Sequence, residues 1–470
     1  MSDRVIAAAL AAMVLLARVA LASQTLWAWD SVLYARALEQ GFHVGVDLGD
    51  QRPQPPGYLF YVAAASLARL VSRDSNAALV LVSVIASALT AATVYIGCRR
   101  YAGRLLALVL ALGAASAPLV WTYGEVAMPY APLGLLGIVL ALSLRDARSR
   151  PWPSAVVASA ALGLAAGFRQ DLLLLLGPLW LWMLAPRSWR ERGLCVAVLG
   201  LAALAWFVPS AVLSGGPAAY LASLGGQATR VGELSPAAGG DALLRNVLLT
   251  LYALWWGLLG FALLLVAAIV TSLRARPSVS DDAAFFALWL IPAAMVYVTI
   301  HIGDPGYLMS VLPGLYVACA ALLAHAAPAA RHAVVAVGAA LFALNAAVFV
   351  LSDGPFSADA IARHDRSLEQ RVAYIRTTFD RSIVVIAQSE YLTARYYLPE
   401  YRVLFYGDAP EVLSRSAKEE RVPGPTTFAV FGTLARGLPP ELRVRNEGVP
   451  LPAGTVDLRG AIVAYDLEPR

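Results

Sequence analysis

Few side chains in this sequence can carry out acid–base or anion-binding chemistry, because 59% of its 470 residues are hydrophobic and only 14% are charged. Four candidates occupy short polar stretches between apolar runs: Asp30 in WDSVLY, Glu125 in WTYGEVAMPY, Arg169 in GFRQD and His301 in HIGDPGY. A carboxylate can serve as a general base, and an arginine presents a planar fork that matches a phosphate. Ionisable groups beside apolar membrane segments are costly and tend to be functional.

Each candidate also has a purely structural interpretation. Asp30 precedes an apolar helical run and could act as its N-cap. Glu125 could be a solvated turn residue, and Arg169 could form a salt bridge with Asp171 that closes a helical hairpin. A lone histidine such as His301 is more often structural than a metal ligand. At this point both interpretations stay open for all of these residues.

Composition predicts a polytopic membrane protein. A mean hydropathy of +0.66 leaves too little polar surface to cover a soluble globule of this length. The net charge of +5 comes from arginines at the ends of apolar runs, which indicates membrane topology and not nucleic-acid binding. The three cysteines, Cys98, Cys195 and Cys319, lie in or beside apolar runs and show neither disulfide nor zinc spacing.

About eleven apolar runs are predicted to cross the bilayer. They lie near 5–26, 76–97, 105–123, 128–144, 153–168, 171–186, 193–213, 246–272, 284–302, 307–326 and 332–351. The first resembles a signal peptide, but its length and the many later spans favour an uncleaved helix. Basic clusters follow the even-numbered spans, so the positive-inside rule places those connections in the cytoplasm.

The same parity places three polar regions outside the cytoplasm. The first is a loop over 27–75, in which the short apolar run 58–71 is predicted to lie at the membrane interface. The second comprises the turns that carry Glu125, Arg169 and His301, together with a glycine-rich loop over 214–245. The third is the tail. We therefore predict a membrane domain over 1–351 and an extracytoplasmic α/β domain over 352–470, with a helix over SADAIARHDRSLEQRVAYIRTTF and strands at SIVVIA, YRVLFY, TTFAVF and AIVAYD.

Five short motifs, in this order, resemble one enzyme family. WDSVLYA, PPGY, YGEVAMPYA, GFRQ and GYLMSVLPGL are similar to the corresponding stretches of GT-C glycosyltransferases that use polyprenyl-phosphate sugars. The similarity is greatest to the branch that contains protein O-mannosyltransferases and the lipid A aminoarabinose transferase. The resemblance implies a GT-C-like bundle of about eleven transmembrane helices with a small C-terminal domain.

The resemblance also implies roles for individual residues. Asp30 would be the catalytic base of an inverting transfer, and Glu125 would orient the acceptor or assist the base. The donor phosphate would be bound by Arg169, Tyr307 and His301. The substrate cavity would be lined by Tyr34, Gln54, Pro56, Tyr58, Tyr130 and Gln170. No residue is assigned to a metal, and assistance by a divalent cation is left open.

Two departures from the family pattern bear on these roles. Many relatives carry Arg or Lys before the tyrosine of the late span, where this chain has Gly306 before Tyr307. The family often has a pair of acids in the first loop, whereas here Ser31 follows Asp30 and leaves Asp47 and Asp50 as substitutes.

The predicted protein is thus a multi-pass enzyme of a bacterial inner membrane. Its partners would be a polyprenyl-phosphate sugar donor, an acceptor hydroxyl on a glycan, lipid or protein, and the bilayer itself, with no nucleic acid. A transporter or lipid flippase is the alternative, and a scaffold whose tail binds a partner is a third. The clustering of polar residues at one membrane face, without a visible inverted repeat, favours the enzyme.

Overall fold

The fold was determined as a computed structural model, which describes residues 2–45, 51–275, 281–324, 328–405, 418–422, 426–432, 442–445, 455–458 and 462–466. Helices α1 to α9 are Asp3–Leu21, Trp29–Gln40, Leu59–Ala68, Ser75–Arg99, Arg104–Ser116, Pro118–Tyr123, Tyr130–Ser149, Trp152–Ala165 and Asp171–Leu184. Helices α10 to α18 are Trp189–Leu213, Pro217–Glu233, Ala242–Leu258, Phe261–Ala275, Asp281–Thr299, Leu312–Leu323, Pro328–Leu351, Ala358–Thr378 and Tyr391–Tyr397. Short 3-10 turns occupy Pro236–Ala238 and Pro305–Ser310.

Local signals in the sequence explain where the long helices begin. The Ser2 side chain accepts a hydrogen bond from the Val5 amide at the start of α1. Asp74 does the same for α4, with 2.7 Å from the Ala77 amide to the carboxylate. Both side chains satisfy backbone donors that the first turn of a helix leaves unpaired. In helix α6, Pro118 occupies the first helical position, where its missing N–H costs nothing.

Among the described residues, six helices are long and apolar enough to cross a bilayer: α1, α4, α7, α10, α14 and α16. Five further apolar helices, α3, α5, α8, α9 and α15, are shorter. Each apolar run predicted from the sequence contains at least one helix, and the interfacial run 58–71 contains the short helix α3. The run 105–123 is divided between α5 and α6, and the run 307–326 begins in the Pro305–Ser310 turn. The chain is therefore a multi-pass helical membrane protein, as predicted.

The predicted span 246–272 requires a correction, because it is two helices and not one. Helices α12 and α13 meet at an angle of 101°. Leu259 adopts a left-handed conformation, with φ of 45°, at the break. The side-chain amide of Asn345 on α16 donates to the Leu258 carbonyl and accepts from the Gly260 amide. Asn345 thus satisfies backbone groups that the broken helix frees inside an apolar environment.

The first two basic clusters lie at one end of the helical unit, where their arginines form salt bridges with aspartates of other helices. Arg99 and Arg104 both bind Asp3, which opens α1. Arg100 binds Asp146, and Arg145 binds Asp282 at 2.5 Å. These pairs join the start of α1 to the ends of α4 and α7 and the start of α14. The basic clusters that contain Arg100 and Arg145, which parity assigns to one side, therefore lie together.

By its internal contacts the chain divides into two units. The first contains Met1–Ala22, Tyr58–Pro209 and Gln227–Ile361, and the second contains Ser23–Gly57, Ser210–Gly226 and Ala362–Arg470. Each unit is thus assembled from three separate stretches of chain. The first polar loop, with α2, belongs to the same unit as the C-terminal tail.

The second unit contains a mixed sheet. Its strands β1 to β7 are Val384–Ala387, Arg402–Phe405, Lys418–Val422, Thr426–Phe431, Leu442–Arg445, Thr455–Leu458 and Ile462–Asp466, in the spatial order β3-β7-β2-β1-β4-β6-β5. Strand β1 is central and pairs in parallel with β2 and β4, with Val384 opposite Arg402 and Phe428. The other pairings are antiparallel.

The tail confirms the α/β prediction in part of its detail. The predicted helix is α17, and the four predicted strands are β1, β2, β4 and β7. Strands β3, β5 and β6 were not predicted. The stretch 214–245 was treated as a glycine-rich loop, but it contains helix α11. Gly225 and Gly226 lie within that helix, where a Cβ at either position would meet nothing within 4 Å.

Candidate functional site

The turn between α8 and α9 carries Arg169. Helix α8 ends at Ala165 and α9 begins at Asp171, so Arg169 lies in the short connection. The Phe60 amide donates to the Gly167 carbonyl at 2.9 Å, which ties the turn to α3. A Cβ at Gly167 would overlap the Phe60 ring, so only glycine permits this approach. The connection is therefore held in place by both its backbone and its glycine.

Arg169 is buried, with 4% of its surface exposed. Its Nε lies 3.2 Å, and its Nη2 2.9 Å, from Oδ2 of Asp171. This ion pair is the structural alternative expected from the sequence. Among the described residues, however, Nη1 of Arg169 has no protein hydrogen-bond partner. The guanidinium thus keeps donor capacity beyond the salt bridge.

Three tyrosine rings surround the Arg169 guanidinium. Its Cζ lies 5.2 Å from the ring centroid of Tyr58, 5.3 Å from Tyr130 and 4.7 Å from Tyr307. The three come from the residue before α3, the start of α7 and the Pro305–Ser310 turn, which are distant in sequence. Ring faces stabilise a cation while leaving its N–H edge able to donate. We call Arg169 with these three tyrosines the arginine–tyrosine cluster.

The 3-10 turn holds Tyr307 in this cluster. Asp304 accepts a hydrogen bond from the Gly306 amide at 2.7 Å and another from the Tyr123 hydroxyl. Burial raises the pKa of the Asp304 carboxyl, against the opposing effects of Tyr123, Gly306 and Arg169. Gly306 contacts the Tyr130 ring so closely that a Cβ there would overlap it. The glycine that departs from the family pattern is therefore what allows Tyr130 and Tyr307 to approach one another.

Two other predicted residues lie near the cluster in sequence or space. His301 lies 6.4 Å from Tyr307, measured between ring centroids. Burial and Arg245 lower the pKa of His301, so the imidazole is neutral at pH 7. Gln170 follows Arg169, and within the described residues neither polar atom of its buried amide has a hydrogen-bond partner. Such an unsatisfied amide is costly unless a ligand or water binds it.

Glu125 lies outside this cluster, in the turn between α6 and α7. Its side chain is fully buried, accepts a hydrogen bond from Nε1 of Trp121 at 2.6 Å, and lies 3.9 Å from Arg18. Burial raises the pKa of the Glu125 carboxyl to about 8, although Arg18 and Trp121 oppose the shift. The solvated-turn interpretation of Glu125 is therefore wrong, because no part of the side chain contacts solvent.

Arg18 was missed by the sequence reasoning. It lies in the last turn of α1 and is 1% exposed. It donates from Nε to Ser87 at 3.2 Å and from Nη2 to the Ala115 carbonyl, and its Cζ lies 4.6 Å from the Trp121 ring. The available signal was an arginine inside the first apolar run, where a charge needs a partner.

Asp30 belongs to the second unit. It is the second residue of α2 and not its N-cap, which is Ala28. The N-cap interpretation is therefore wrong, and the Ala28 amide donates instead to the Ser31 hydroxyl at 3.2 Å. The Asp30 carboxylate accepts a hydrogen bond from the Gln54 side chain at 3.1 Å. Two predicted site residues, 24 positions apart, are thus in direct contact.

The proline-rich turn is fixed within the same unit. The Tyr220 hydroxyl donates to the Pro56 carbonyl at 2.8 Å. Gly57 has φ of +110°, and a Cβ there would lie 2.7 Å from Val44. Tyr34 is buried in α2, with 1% exposure. Asp47 and Asp50 lie outside the described residues. The turn thus holds Gln54 beside Asp30 through glycine-specific geometry.

Within the described ranges, no group of three or more His, Cys, Asp or Glu side chains could hold a metal ion. The arrangement therefore offers three separate chemical elements. These are a buried cation ringed by tyrosines, a carboxylate with an amide partner, and a buried acid paired with Arg18.

No protein-family model matches the sequence, and comparison with curated proteins gives no match. Solved structures do match. ArnT from Cupriavidus metallidurans bound to undecaprenyl phosphate aligns over 99% of both chains, with a TM-score of 0.62 and 15% identity. The chain has a GT-C fold. The apo form of the same ArnT aligns over 99% of this chain and 98% of that one, with a TM-score of 0.57 and 14% identity.

A second GT-C protein supports this assignment. The oligosaccharyltransferase of Archaeoglobus fulgidus, in its apo form, matches 85% of this chain and 64% of its own, with a TM-score of 0.51 and 12% identity. The GT-C fold predicted from five short motifs is therefore confirmed. It accounts for the helical membrane unit and for the small C-terminal region in one chain.

Proposed function

We propose that this GT-C protein is a membrane glycosyltransferase. It transfers a sugar from a polyprenyl-phosphate donor to an acceptor hydroxyl, with inversion, on the extracytoplasmic side of a bacterial inner membrane. The proposal is carried by the arginine–tyrosine cluster, a buried cation with unused donor capacity in a fold shared with an ArnT that binds undecaprenyl phosphate.

Arg169 is assigned to the donor phosphate. When the sugar is transferred, the lipid phosphate leaves and carries the negative charge. The Arg169 guanidinium can donate hydrogen bonds to this phosphate from the N–H edge that the tyrosine rings leave open. Tyr307, Tyr58 and Tyr130 direct that edge, and Gln170 and His301 supply further polar groups nearby. The hydrogen bonds to Asp171 hold the planar guanidinium of Arg169 in a fixed orientation before a donor binds.

Asp30 is assigned as the base. Its carboxylate takes the proton of the acceptor hydroxyl as that oxygen bonds to the anomeric carbon. The bond from that carbon to the lipid phosphate oxygen breaks, and its electron pair leaves with the phosphate. Gln54, which donates to Oδ2 of Asp30, orients the carboxylate. Tyr34 in α2 and Pro56 in the proline-rich turn belong to the same unit as Asp30.

Glu125 is assigned a supporting role. Its complete burial and its partners Arg18 and Trp121 favour an acid that holds the α6–α7 turn. Tyr123 and Tyr130 lie on either side of that turn. The acid would thus act on the site through the tyrosines.

The proposed sidedness is supported by helix α7, which runs between the two ends of the membrane unit. Helix α7 begins at Tyr130 in the cluster and ends near Asp146, which binds Arg100. Its 20 residues span about 30 Å, the thickness of a hydrocarbon layer. The cluster and the basic loops thus lie at opposite ends. With basic loops in the cytoplasm, the cluster faces outward.

The test begins with a strain that lacks the protein. Its lipids are expected to accumulate a polyprenyl-phosphate monosaccharide, which then serves as donor for purified protein in vesicles, with envelope extract as acceptor. Asp30→Asn should reduce transfer by at least about a hundredfold, as loss of a general base does. Asp74→Asn is the matched control, because asparagine caps a helix as well as aspartate does.

The proposal would be contradicted if the deletion strain accumulated no lipid-linked sugar and the purified protein moved a labelled polyprenyl phosphate between leaflets. That outcome would indicate a flippase. Unchanged transfer in Asp30→Asn, with transfer by the wild type intact, would overturn only the assignment of the base.

A further inference from the structure

Asp365 on α17 holds the residues that lead into α2. Its Oδ1 accepts hydrogen bonds from the Ser23 hydroxyl at 2.8 Å, the Thr25 amide at 3.0 Å and the Thr25 hydroxyl at 2.6 Å. Its Oδ2 accepts from the Gln24 amide at 2.8 Å. The residue is 8% exposed. Hydrogen bonds to a carboxylate are roughly twice as strong as neutral ones, so this contact fixes three consecutive residues.

The next two residues are bound from the same region. Nε2 of His364 donates to the Leu26 carbonyl at 3.1 Å, and the His364 ring lies 4.8 Å from the Trp27 ring. The Tyr397 hydroxyl on α18 donates to the Leu26 amide at 2.9 Å. Every residue of the segment Ser23–Trp27 therefore makes at least one contact with α17 or α18.

These contacts reach the candidate base through the backbone. Helix α2 begins at Trp29, directly after this segment, and Asp30 is its second residue. The far end of α2 is bound as well, because the Tyr396 hydroxyl donates to Oε1 of Glu39 at 2.7 Å. Both ends of the 12-residue helix are thus attached to the C-terminal region. The orientation of Asp30 follows from where that region holds the helix.

We propose that Asp365 and His364 are positioning residues for the transfer reaction and that the C-terminal region acts as the support that sets the angle of α2. The inference rests on the proposed function, in which Asp30 is the base. Neither residue touches the reacting atoms. Their effect is to keep the Asp30 carboxylate within the narrow range of positions from which it can take the acceptor proton.

The discriminating variant is Asp365→Asn. The asparagine oxygen can still accept from Ser23 and Thr25, but its NH2 group would face the Gln24 amide, donor against donor. Asp380→Asn is the matched control, because Asp380 is an exposed residue of the same region that accepts hydrogen bonds only within its own turn, from Ser382. Tyr397→Phe removes a single hydroxyl and serves as the milder variant should Asp365→Asn not fold.

Three quantities are measured on full-length protein in vesicles: hydrogen exchange over residues 23–40, turnover with the accumulated lipid-linked sugar, and binding of undecaprenyl phosphate. In Asp365→Asn, exchange over 23–40 should become faster and kcat should fall about tenfold or more. Binding of undecaprenyl phosphate should be unchanged, since Arg169 belongs to the other unit. Tyr397→Phe should shift exchange and kcat in the same directions by less, and Asp380→Asn should change none of the three.

Each other result would overturn the inference. Unaltered exchange over 23–40 shows that Asp365 does not hold the segment. Faster exchange with unchanged kcat shows that the attachment is structural only. Parallel losses of kcat and of undecaprenyl phosphate binding show general damage. If Asp30→Asn retained full turnover, the assignment of the base would fail first, and the exchange result alone would still report on the attachment.

Discussion

The guanidinium of Arg18 lies 3.9 Å from the carboxylate of Glu125, and neither side chain is more than 1% exposed. The pair joins the last turn of the first membrane helix to the turn that precedes α7. Because Tyr130 begins α7 directly after that turn, the pair stabilises the part of the molecule that carries one tyrosine of the arginine–tyrosine cluster.

Loss of Arg18 should destabilise the protein strongly. Arg18→Met removes the hydrogen bonds to the Ser87 hydroxyl and the Ala115 carbonyl and leaves these buried groups unsatisfied, a change that costs roughly 1–3 kcal/mol for each group. Thermal unfolding of detergent-purified protein measures the loss. Arg4→Met is the control, because Arg4 is an exposed residue of the same helix and should leave the unfolding temperature within about a degree. Equal stability of the two variants would show that the pair contributes nothing.

Protonation of Glu125 should make stability pH-dependent. The folded-state pKa of about 8 exceeds the ordinary value of 4.5, so the folded state favours the protonated acid. The associated stabilisation is fully present below pH 4.5 and is lost as the pH rises through 8. In Glu125→Gln the side chain stays neutral. The unfolding temperature of the wild type should therefore fall relative to that of the variant between these two pH values, and parallel pH curves would contradict the raised pKa.

A methyl group at Gly306 should disturb the arginine–tyrosine cluster. The Cβ of Gly306→Ala would overlap the Tyr130 ring and push it away from Arg169. We expect transfer to fall at least tenfold, with a stability loss of about 1–3 kcal/mol from the overpacking. Gly232→Ala is the matched control, because a Cβ at that position in α11 meets nothing within 4 Å. Full activity of Gly306→Ala would show that the Tyr130 contact is dispensable.

Replacement of Arg169 by lysine should weaken donor binding more than folding. Lysine keeps the charge but loses the fork that binds Asp171 and the planar group that contacts three rings. The affinity for undecaprenyl phosphate is expected to fall about tenfold or more, as titration of purified protein would measure. Arg73→Lys, at an exposed position of the first polar loop, should bind as the wild type does. A purely structural salt bridge would instead lower the unfolding temperature and leave the affinity intact.

The helices were predictable because the backbone N–H and C=O groups of an apolar run in a bilayer have no water to bind. A helix lets each run satisfy these groups by its own hydrogen bonds, whatever its neighbours. The strands β3, β5 and β6 were not predicted, because KEERV, LRVR and TVDL are only four or five residues long and contain charged residues, so their patterns do not distinguish them from loops. Helix α11 was hidden by Gly225 and Gly226, which locally favour a loop.

The site was predictable as a set of residue types but not as an arrangement. The Arg169–Asp171 salt bridge joins residues two positions apart, so their spacing in the sequence was enough to predict it. The positions of Tyr58, Tyr130 and Tyr307 around Arg169 depend on how elements that are distant in sequence pack together. From the sequence alone, Gly306 is only a departure from the family pattern, and its contact with the Tyr130 ring explains it. Asp365 lies in a polar amphipathic helix, where nothing in the sequence distinguishes it from a solvated acid. Its role is set entirely by a segment 340 residues earlier.

Asn345 carries a consequence for recognising similar chains. It lies in the apolar stretch ALFALNAAVFVL of α16 and binds two backbone groups at the break between α12 and α13, about 85 positions earlier in the sequence. Asn345, an amide in one apolar run, and Gly260, a glycine that interrupts another, form a two-part marker. Its parts are far apart in sequence but hydrogen-bonded in the structure. Paired markers of this kind can indicate broken membrane helices in sequences that no family model matches, since the amide hydrogen-bonds the backbone groups that the break frees.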